Sequence, residues 1–90
     1  MRTLRVEVVY ALPGRQILRS LRLPEGSVVG DAVRASGLPG EFPEIDPERA
    51  GIYGKRVPAS AVLHDRDRVE IYRPLSADPK EIRRLRARRS

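Results

Sequence analysis

The chain has 90 residues, a length that fits one domain near the lower limit for a core that folds without disulfides or metals. It contains no cysteine, which excludes disulfides, thiolate metal ligands and cysteine nucleophiles. The formal net charge is +6, but residues 80–90 hold six basic groups against one acidic group, which leaves residues 1–79 with a net charge of +1. The charge therefore excludes a strongly basic nucleic-acid surface across the whole body. The lack of cysteine, of a membrane-spanning apolar run and of a signal-peptide core predicts a cytoplasmic location.

A β-hairpin is predicted at the start of the chain. Apolar residues alternate with polar ones there, which is the pattern of a half-buried strand, at Leu4, Val6, Val8 and Tyr10. Pro13-Gly14 is typical of a turn, and the alternation resumes after it. The apolar positions of this second segment are Ile17, Leu21 and Leu23. We predict strands over residues 3–12 and 15–23, with Arg19 near an open end of the sheet.

A short helix is predicted next. Its buried stripe has helical spacing and consists of Val29, Ala32, Val33 and Ser36. Ser27 is the predicted N-cap, and Gly37 suits the left-handed position that ends a helix. Residues 38–50 contain three prolines and predict an ordered loop, which Ile45 and Phe42 can attach to the core.

The second half predicts short strands and ends in a basic segment. We predict strands at residues 51–54 and around Arg56-Val57, one helical turn at residues 60–63 capped by serine, and a last strand over residues 68–73. The element order is then β-β-α-β-β-β. Asp78-Pro79-Lys80-Glu81 has the residues of a helix start, so residues 79–90 are predicted to be a partly helical or mobile tail after a domain of residues 1–78.

The element order and several segments together resemble a known family. The hairpin turn Leu12-Pro13-Gly14-Arg15 is similar to that of ubiquitin-like proteins, and the whole chain resembles the RnfH family of small bacterial proteins. The segments that carry this resemblance are Val6-Glu7-Val8-Val9-Tyr10-Ala11-Leu12-Pro13, Pro24-Glu25-Gly26, Arg34-Ala35-Ser36-Gly37-Leu38, Gly51-Ile52-Tyr53, Arg68-Val69-Glu70-Ile71-Tyr72-Arg73-Pro74-Leu75 and Ala77-Asp78-Pro79-Lys80-Glu81.

The resemblance implies an α+β, β-grasp fold with a mixed sheet of four to five strands, one helix on one face and no established enzymatic activity. The family is named after gene neighbourhoods of the Rnf membrane electron-transport complex, and it also occurs beside a START-domain protein described as a ribosome-associated toxin. The chain departs from the family pattern at two positions. Arg66 stands where the family usually has glycine, and Val28 stands where a threonine would normally help to cap the helix.

The residues themselves indicate no catalytic, metal or cofactor site. His64 is the sole histidine, and no nucleophile is evidently paired with it. Asp65, Asp67 and Glu70 lack the glycine and the distal glutamate of a calcium loop, and arginines lie between them. We interpret this segment as a solvated acidic turn.

Three functional hypotheses remain. The first is an adaptor that binds another protein, with no small-molecule substrate. In a β-grasp sheet the helix covers one face, so the predicted partner surface on the open face consists of Val9, Ala11, Leu18, Tyr53, Tyr72 and Arg73.

The second hypothesis is a sulfur carrier or modifier activated at a C-terminal Gly-Gly, which is disfavoured because the sequence contains no Gly-Gly. The third is non-specific binding of RNA or an anionic membrane by the basic tail. The candidate anion-binding residues are Lys80, Arg83, Arg84, Arg86, Arg88 and Arg89.

Overall fold

The first 24 residues, in which apolar and polar residues alternate, form a β-hairpin that makes up one side of the sheet. The structure, a computed structural model, describes residues 2–73. Its strands are β1 Thr3–Leu12, β2 Arg15–Pro24, β3 Ala50–Ile52, β4 Lys55–Val57 and β5 Arg68–Ile71. Its helices are α1 Val29–Ala35 and α2 Leu38–Glu41. The predicted domain boundary at residue 78 and the predicted tail lie outside the described residues.

The five strands form one mixed sheet in the order β2-β1-β5-β3-β4. The two central strands, β1 and β5, are parallel, and every other neighbouring pair is antiparallel. The hairpin register runs from Thr3 opposite Pro24 to Leu12 opposite Arg15. This topology confirms the predicted β-grasp sheet, in which the first and last strands lie side by side.

The core lies between the sheet and the helices. Every second residue of β1 from Leu4 to Tyr10 points into it, together with Val69 and Ile71 of β5. The helical stripe predicted for α1 is buried, and so is Ile45, while Phe42 packs against the core. The predicted attachment of the proline-containing loop is thereby confirmed. Among residues 2–73, no helix is long and apolar enough to cross a membrane.

The cap predicted for α1 is wrong by one residue. Val28 is the N-cap, and its backbone N–H donates to Asp31 Oδ2 at 2.9 Å. The Ser27 hydroxyl instead donates to the Pro24 carbonyl at 2.6 Å, which closes the turn after β2. Val28 has no side-chain acceptor for the N–H groups of the first helical turn. The carboxylate of Asp31, the third helical residue, instead accepts the backbone N–H of the N-cap residue. Gly37 has a φ of 75° and ends the helix as predicted.

Two predicted loop features differ in the structure. Residues 38–41 form the single-turn helix α2 instead of a loop. Residues 60–63 are not helical: Ser60 lies in a turn that the Ala61 N–H and the Pro58 carbonyl close, and Val62 bridges Val28 beside the start of α1. There the Ala59 and Ala61 carbonyls each accept an N–H group of the first turn of α1 at 2.9 Å. These N–H groups have no partner within the helix, so their need for acceptors favours this arrangement over a helical turn.

Arg19 lies on an edge strand of the sheet, but in the middle of that strand, where it pairs with Val8. Its guanidinium donates to the Ser36 carbonyl at 3.3 Å and forms an ion pair with Glu41 at 2.7 Å. An arginine can occupy this otherwise apolar face because its charged group reaches the C-terminal end of α1, where carbonyl groups lack helical partners.

Candidate binding face

The sheet has one face that no described helix covers, because α1 and α2 both pack on the other face. We call the uncovered side the open face. Side chains alternate across a strand, and directly paired residues share a face. The strand residues whose side chains lie on the open face are Thr3, Arg5, Glu7, Val9, Ala11, Gln16, Leu18, Ser20, Arg22, Pro24, Arg56, Arg68 and Glu70.

Leu18 and Tyr53 are the most exposed large apolar groups near this face. Leu18 lies on it and is 47 % exposed, and Tyr53 follows β3 and is 66 % exposed. Ala11 is also exposed on β1. These three residues of the predicted surface are therefore accessible to a partner.

Val9 lies on the predicted face but is buried. It is only 8 % exposed, and its register neighbours are Leu18 on β2 and Glu70 on β5. Alternation correctly predicted the side of the sheet on which Val9 lies. It could not predict that Val9 is buried, because that depends on which strands lie on either side of β1. Val9 therefore supports the face from beneath and is not a contact residue.

Tyr72 is half-buried and packs over Gly51. A Cβ atom at Gly51 would overlap the Tyr72 hydroxyl and the Lys55 carbonyl, so the ring occupies the space that a side chain would need. The Tyr72 hydroxyl donates to Glu70 Oε1 at 3.3 Å, and the same oxygen accepts the Gly54 N–H at 2.7 Å. Burial, followed by the Glu70 charge, raises the pKa of Tyr72. Tyr72 is thus a fixed, neutral part of the open face.

Tyr53 is held at the edge of the open face by an unusual backbone. Its φ of 49° lies in the left-handed region, which a residue with a large side chain seldom adopts. The Tyr53 hydroxyl donates to the Arg66 carbonyl and so joins the β3–β4 turn to the turn before β5. The ring therefore has a defined position although most of its surface is exposed.

The prediction that Arg73 lies on the open face is wrong. Alternation along the last strand places it on the same side as Ile71, where its guanidinium lies beside Tyr10 and Glu44. The Tyr10 hydroxyl donates to Glu44 Oε2 at 2.6 Å. Burial and this hydrogen bond raise the pKa of Tyr10 to about 12, whereas the bond lowers the pKa of Glu44. Arg73 thus belongs to a polar cluster at the rim of the core.

The acidic turn before β5 serves the backbone. Asp65 Oδ1 accepts the Arg5 N–H at 2.8 Å, and Asp67 Oδ2 accepts the His64 N–H at 2.8 Å. The His64 ring is largely exposed, with Nδ1 3.8 Å from Asp67 Oδ2. These carboxylates fix the turn that contains Arg66.

A groove on the open face was not predicted from the sequence. It has a volume of about 540 Å³ and is lined by Arg5, Val6, Glu7, Ser20, Leu21, Arg22 and Arg66. Part of it could have been found, because the hairpin register alone places Arg5 directly opposite Arg22. Arg66 joins them only through the folding of a turn that is distant in sequence.

The fold defines the class of protein: it is ubiquitin-like. A protein from Pyrococcus furiosus described as molybdopterin converting factor subunit 1 matches with a TM-score of 0.62 at 20 % identity, over 79 % of this chain and 98 % of its own. The ubiquitin of Caldiarchaeum subterraneum matches with a TM-score of 0.60 at 14 % identity, over 81 % of this chain and 95 % of its own. At these identities the likeness concerns the fold alone.

The sequence comparisons identify the family. The model of the RnfH family ubiquitin domain matches residues 4–86. Protein RnfH of Yersinia pestis is 57 % identical over 89 residues, which cover 97 % of this chain and 95 % of the relative. Protein RnfH of Halorhodospira halophila is 52 % identical over 86 residues, covering 93 % and 89 %. The chain belongs to the RnfH family, as its sequence segments predicted.

The predicted anion-binding tail cannot be placed on this surface. Its residues, Lys80, Arg83, Arg84, Arg86, Arg88 and Arg89, lie outside the described part of the chain. Its binding to RNA or to an anionic membrane stays a prediction.

Proposed function

We propose that this chain is a non-catalytic adaptor of the cytoplasm that binds another bacterial protein through the open face of its sheet. The observation that carries the proposal is the difference in cover between the two faces. Both described helices protect one face, whereas Leu18 and Tyr53 are exposed on or beside the other. The open face also carries several arginines, and aromatic residues and arginine are enriched in protein interfaces.

The proposed surface is firm as well as exposed. Tyr72 packs over Gly51 and is hydrogen-bonded to Glu70, and Tyr53 is hydrogen-bonded to the Arg66 carbonyl. A surface whose side chains are ordered before binding loses less conformational entropy when the partner arrives. Ala11, Leu18 and Tyr53 form its accessible apolar part, Tyr72 is a half-buried support, and Val9 lies beneath.

A carrier function has less support. The likeness to ubiquitin and to the Pyrococcus protein concerns the fold, and the sequence offers no Gly-Gly for activation. A thiocarboxylate or a covalent conjugate in the intact mass of protein from native cells would establish that function instead.

The adaptor proposal is tested by affinity purification at native expression level followed by mass spectrometry. The test variant is Leu18→Ser/Tyr53→Asn, because asparagine tolerates the left-handed backbone at position 53. The matched control is Val62→Ser/His64→Asn, which also replaces one exposed aliphatic residue and one exposed ring; Val62 bridges Val28 outside the sheet, and His64 lines a groove different from that of the arginines.

We expect the wild type and the control to retain a partner that the test variant loses. Recovery of every bound protein by all three chains would contradict the open face as the binding surface. Melting temperatures of both variants, measured beside the wild type, establish that any loss of a partner does not reflect unfolding.

A further inference from the structure

Three arginines converge on the open-face groove. Arg5 of β1 and Arg22 of β2 are directly paired across the hairpin, and both are exposed. Arg66 lines the same groove from the turn before β5. Its backbone N–H donates to the Arg5 carbonyl at 2.6 Å, which fixes this turn against β1. We call these three residues the arginine cluster.

The arginine cluster is an unfavourable arrangement for the isolated chain. Like charges directly opposite each other on an antiparallel pair destabilise a sheet. Arg66 has a φ of 68°, in the left-handed region that a residue with a Cβ atom seldom adopts because of steric conflict. Where neighbouring positions depart from local structural rules without an internal compensation, a functional site is a common reason.

No described acidic residue forms an ion pair with this cluster. Other arginines of the body have such partners: Arg68 pairs with Glu7 at 3.2 Å and Arg19 with Glu41 at 2.7 Å. Two carboxylates beside the cluster already have other partners, since Asp65 accepts the Arg5 backbone N–H and Glu7 pairs with Arg68. Three guanidinium groups at one groove therefore have unused capacity for external carboxylates.

We infer that the arginine cluster binds an acidic segment of the partner protein, and this inference rests on the proposed adaptor function. Guanidinium groups bind carboxylates in a bidentate, planar geometry that suits Asp and Glu side chains. Leu18 lies on the same face of β2, four residues before Arg22. An acidic segment that also contains apolar residues therefore fits both the arginine cluster and the exposed Leu18 side chain.

Nucleic acid fits this groove less well than a peptide does. No aromatic side chain is among the residues that line the groove, so the bases of a nucleic acid would have no ring to stack on there, whereas a peptide needs none. The chain's own residues 80–90 carry a net charge of +5 and would be repelled by the cluster. The occupant is therefore an acidic segment of another protein.

Fluorescence anisotropy of the full chain with labelled decaglutamate tests this site, with decaglutamine as the neutral control and decauridylate as the nucleic-acid probe. The test variant is Arg22→Gln/Arg66→Gly, in which glycine suits the backbone of position 66. The charge-matched control is Arg15→Gln/Lys55→Gln, which removes two exposed cations outside the groove. Amide NMR spectra with decaglutamate locate the contact.

We expect the test variant to bind decaglutamate about fivefold more weakly and the control variant to change by less than about twofold, with affinity falling as salt rises. The NMR shifts should centre on residues 5–7, 20–22 and 66. Equal losses in both variants, shifts confined to residues 80–90, or tighter binding of decauridylate in the groove would overturn the inference.

The partner purification separates this inference from the adaptor function itself. If Arg22→Gln/Arg66→Gly retained a partner that Leu18→Ser/Tyr53→Asn loses, the acidic-segment site would be wrong and the adaptor function would stand. If Leu18→Ser/Tyr53→Asn retained every partner, the adaptor surface would be wrong, whatever decaglutamate does.

Discussion

The two faces of this sheet are made by the same strands but have different chemistry. Along β1, residues 4, 6, 8 and 10 are apolar and buried beneath the helices, while residues 5, 7, 9 and 11 lie on the open face. Each face also has a tyrosine hydrogen-bonded to a glutamate, Tyr10 with Glu44 and Tyr72 with Glu70. The covered face supplies the stability of the fold, which leaves the open face free to carry charge and exposed rings.

The largest expected difference in stability is between two leucines of one strand that lie on opposite faces of the sheet. Leu23 and Leu18 both lie on β2, but Leu23 is buried in the core and Leu18 is exposed on the open face. Leu23→Ala should lower the free energy of unfolding by about 2–3 kcal/mol through lost burial and a cavity. Leu18→Ala should change it by less than about 0.5 kcal/mol. Urea unfolding of both variants measures the difference, and similar losses would contradict the assignment of faces.

A smaller effect is expected where the open face is tightly packed. Gly51→Ala should destabilise the fold by about 1–3 kcal/mol, because the new Cβ atom would overlap the Tyr72 hydroxyl and the Lys55 carbonyl. Gly40→Ala is the control, since its Cβ atom would meet no other atom within 4 Å. Thermal unfolding compares the two. Equal melting temperatures would show that Tyr72 does not pack over Gly51.

Tyr10 on the covered face and Tyr72 on the open face should both make the fold less stable at high pH. The pKa of Tyr10 is raised to about 12, and that of Tyr72 is raised as well. A raised tyrosine pKa stabilises the fold fully below pH ~10 and does so less and less as pH rises through the folded-state pKa. The free energy of unfolding should therefore fall from pH ~10 towards ~12. Tyr10→Phe should reduce this fall more than Tyr72→Phe, and a fall unchanged by either would be inconsistent with the placement of both rings.

The smallest predicted change concerns the strained turn beside the arginine cluster. Arg66→Gly should raise the free energy of unfolding by up to about 1 kcal/mol, because glycine adopts a positive φ without steric conflict. Arg66→Ala loses the same charged group but retains a Cβ atom, so it should give no such gain. Chemical denaturation of both variants separates backbone relief from the relief of charge repulsion, which would stabilise both equally.

Local patterns predicted most of this fold. Alternation and Pro13-Gly14 were sufficient for the hairpin, and helical spacing was sufficient for the buried stripe of α1. The errors fall where distant segments decide the local structure. Residues 60–63 are not helical because the first turn of α1 takes carbonyl partners from Ala59 and Ala61, and Arg19 is accommodated by the end of α1.

The candidate site was predictable only in part for a similar reason. Alternation placed Leu18 on the open face, but burial of Val9 depends on the neighbouring strands. Arg73 was assigned to the wrong face although alternation along the strand places it on the same side as Ile71. Glu44, whose carboxylate attracts the Arg73 guanidinium, is distant in sequence. The groove requires the Arg66 turn to meet the hairpin, a contact between residues about sixty positions apart that no local pattern reveals.

Site-specific photo-crosslinking in living cells tests the adaptor function most directly. The sequence has no cysteine, so Leu18→Cys and Val62→Cys each offer a single thiol for a photoreactive label at comparably exposed positions, 47 % on the open face and 55 % away from it. Labelled protein is returned to the cells before illumination. We expect a covalent adduct with a partner protein from position 18 and none from position 62. Adducts from position 62 alone, or the same adducts from both positions, would contradict it.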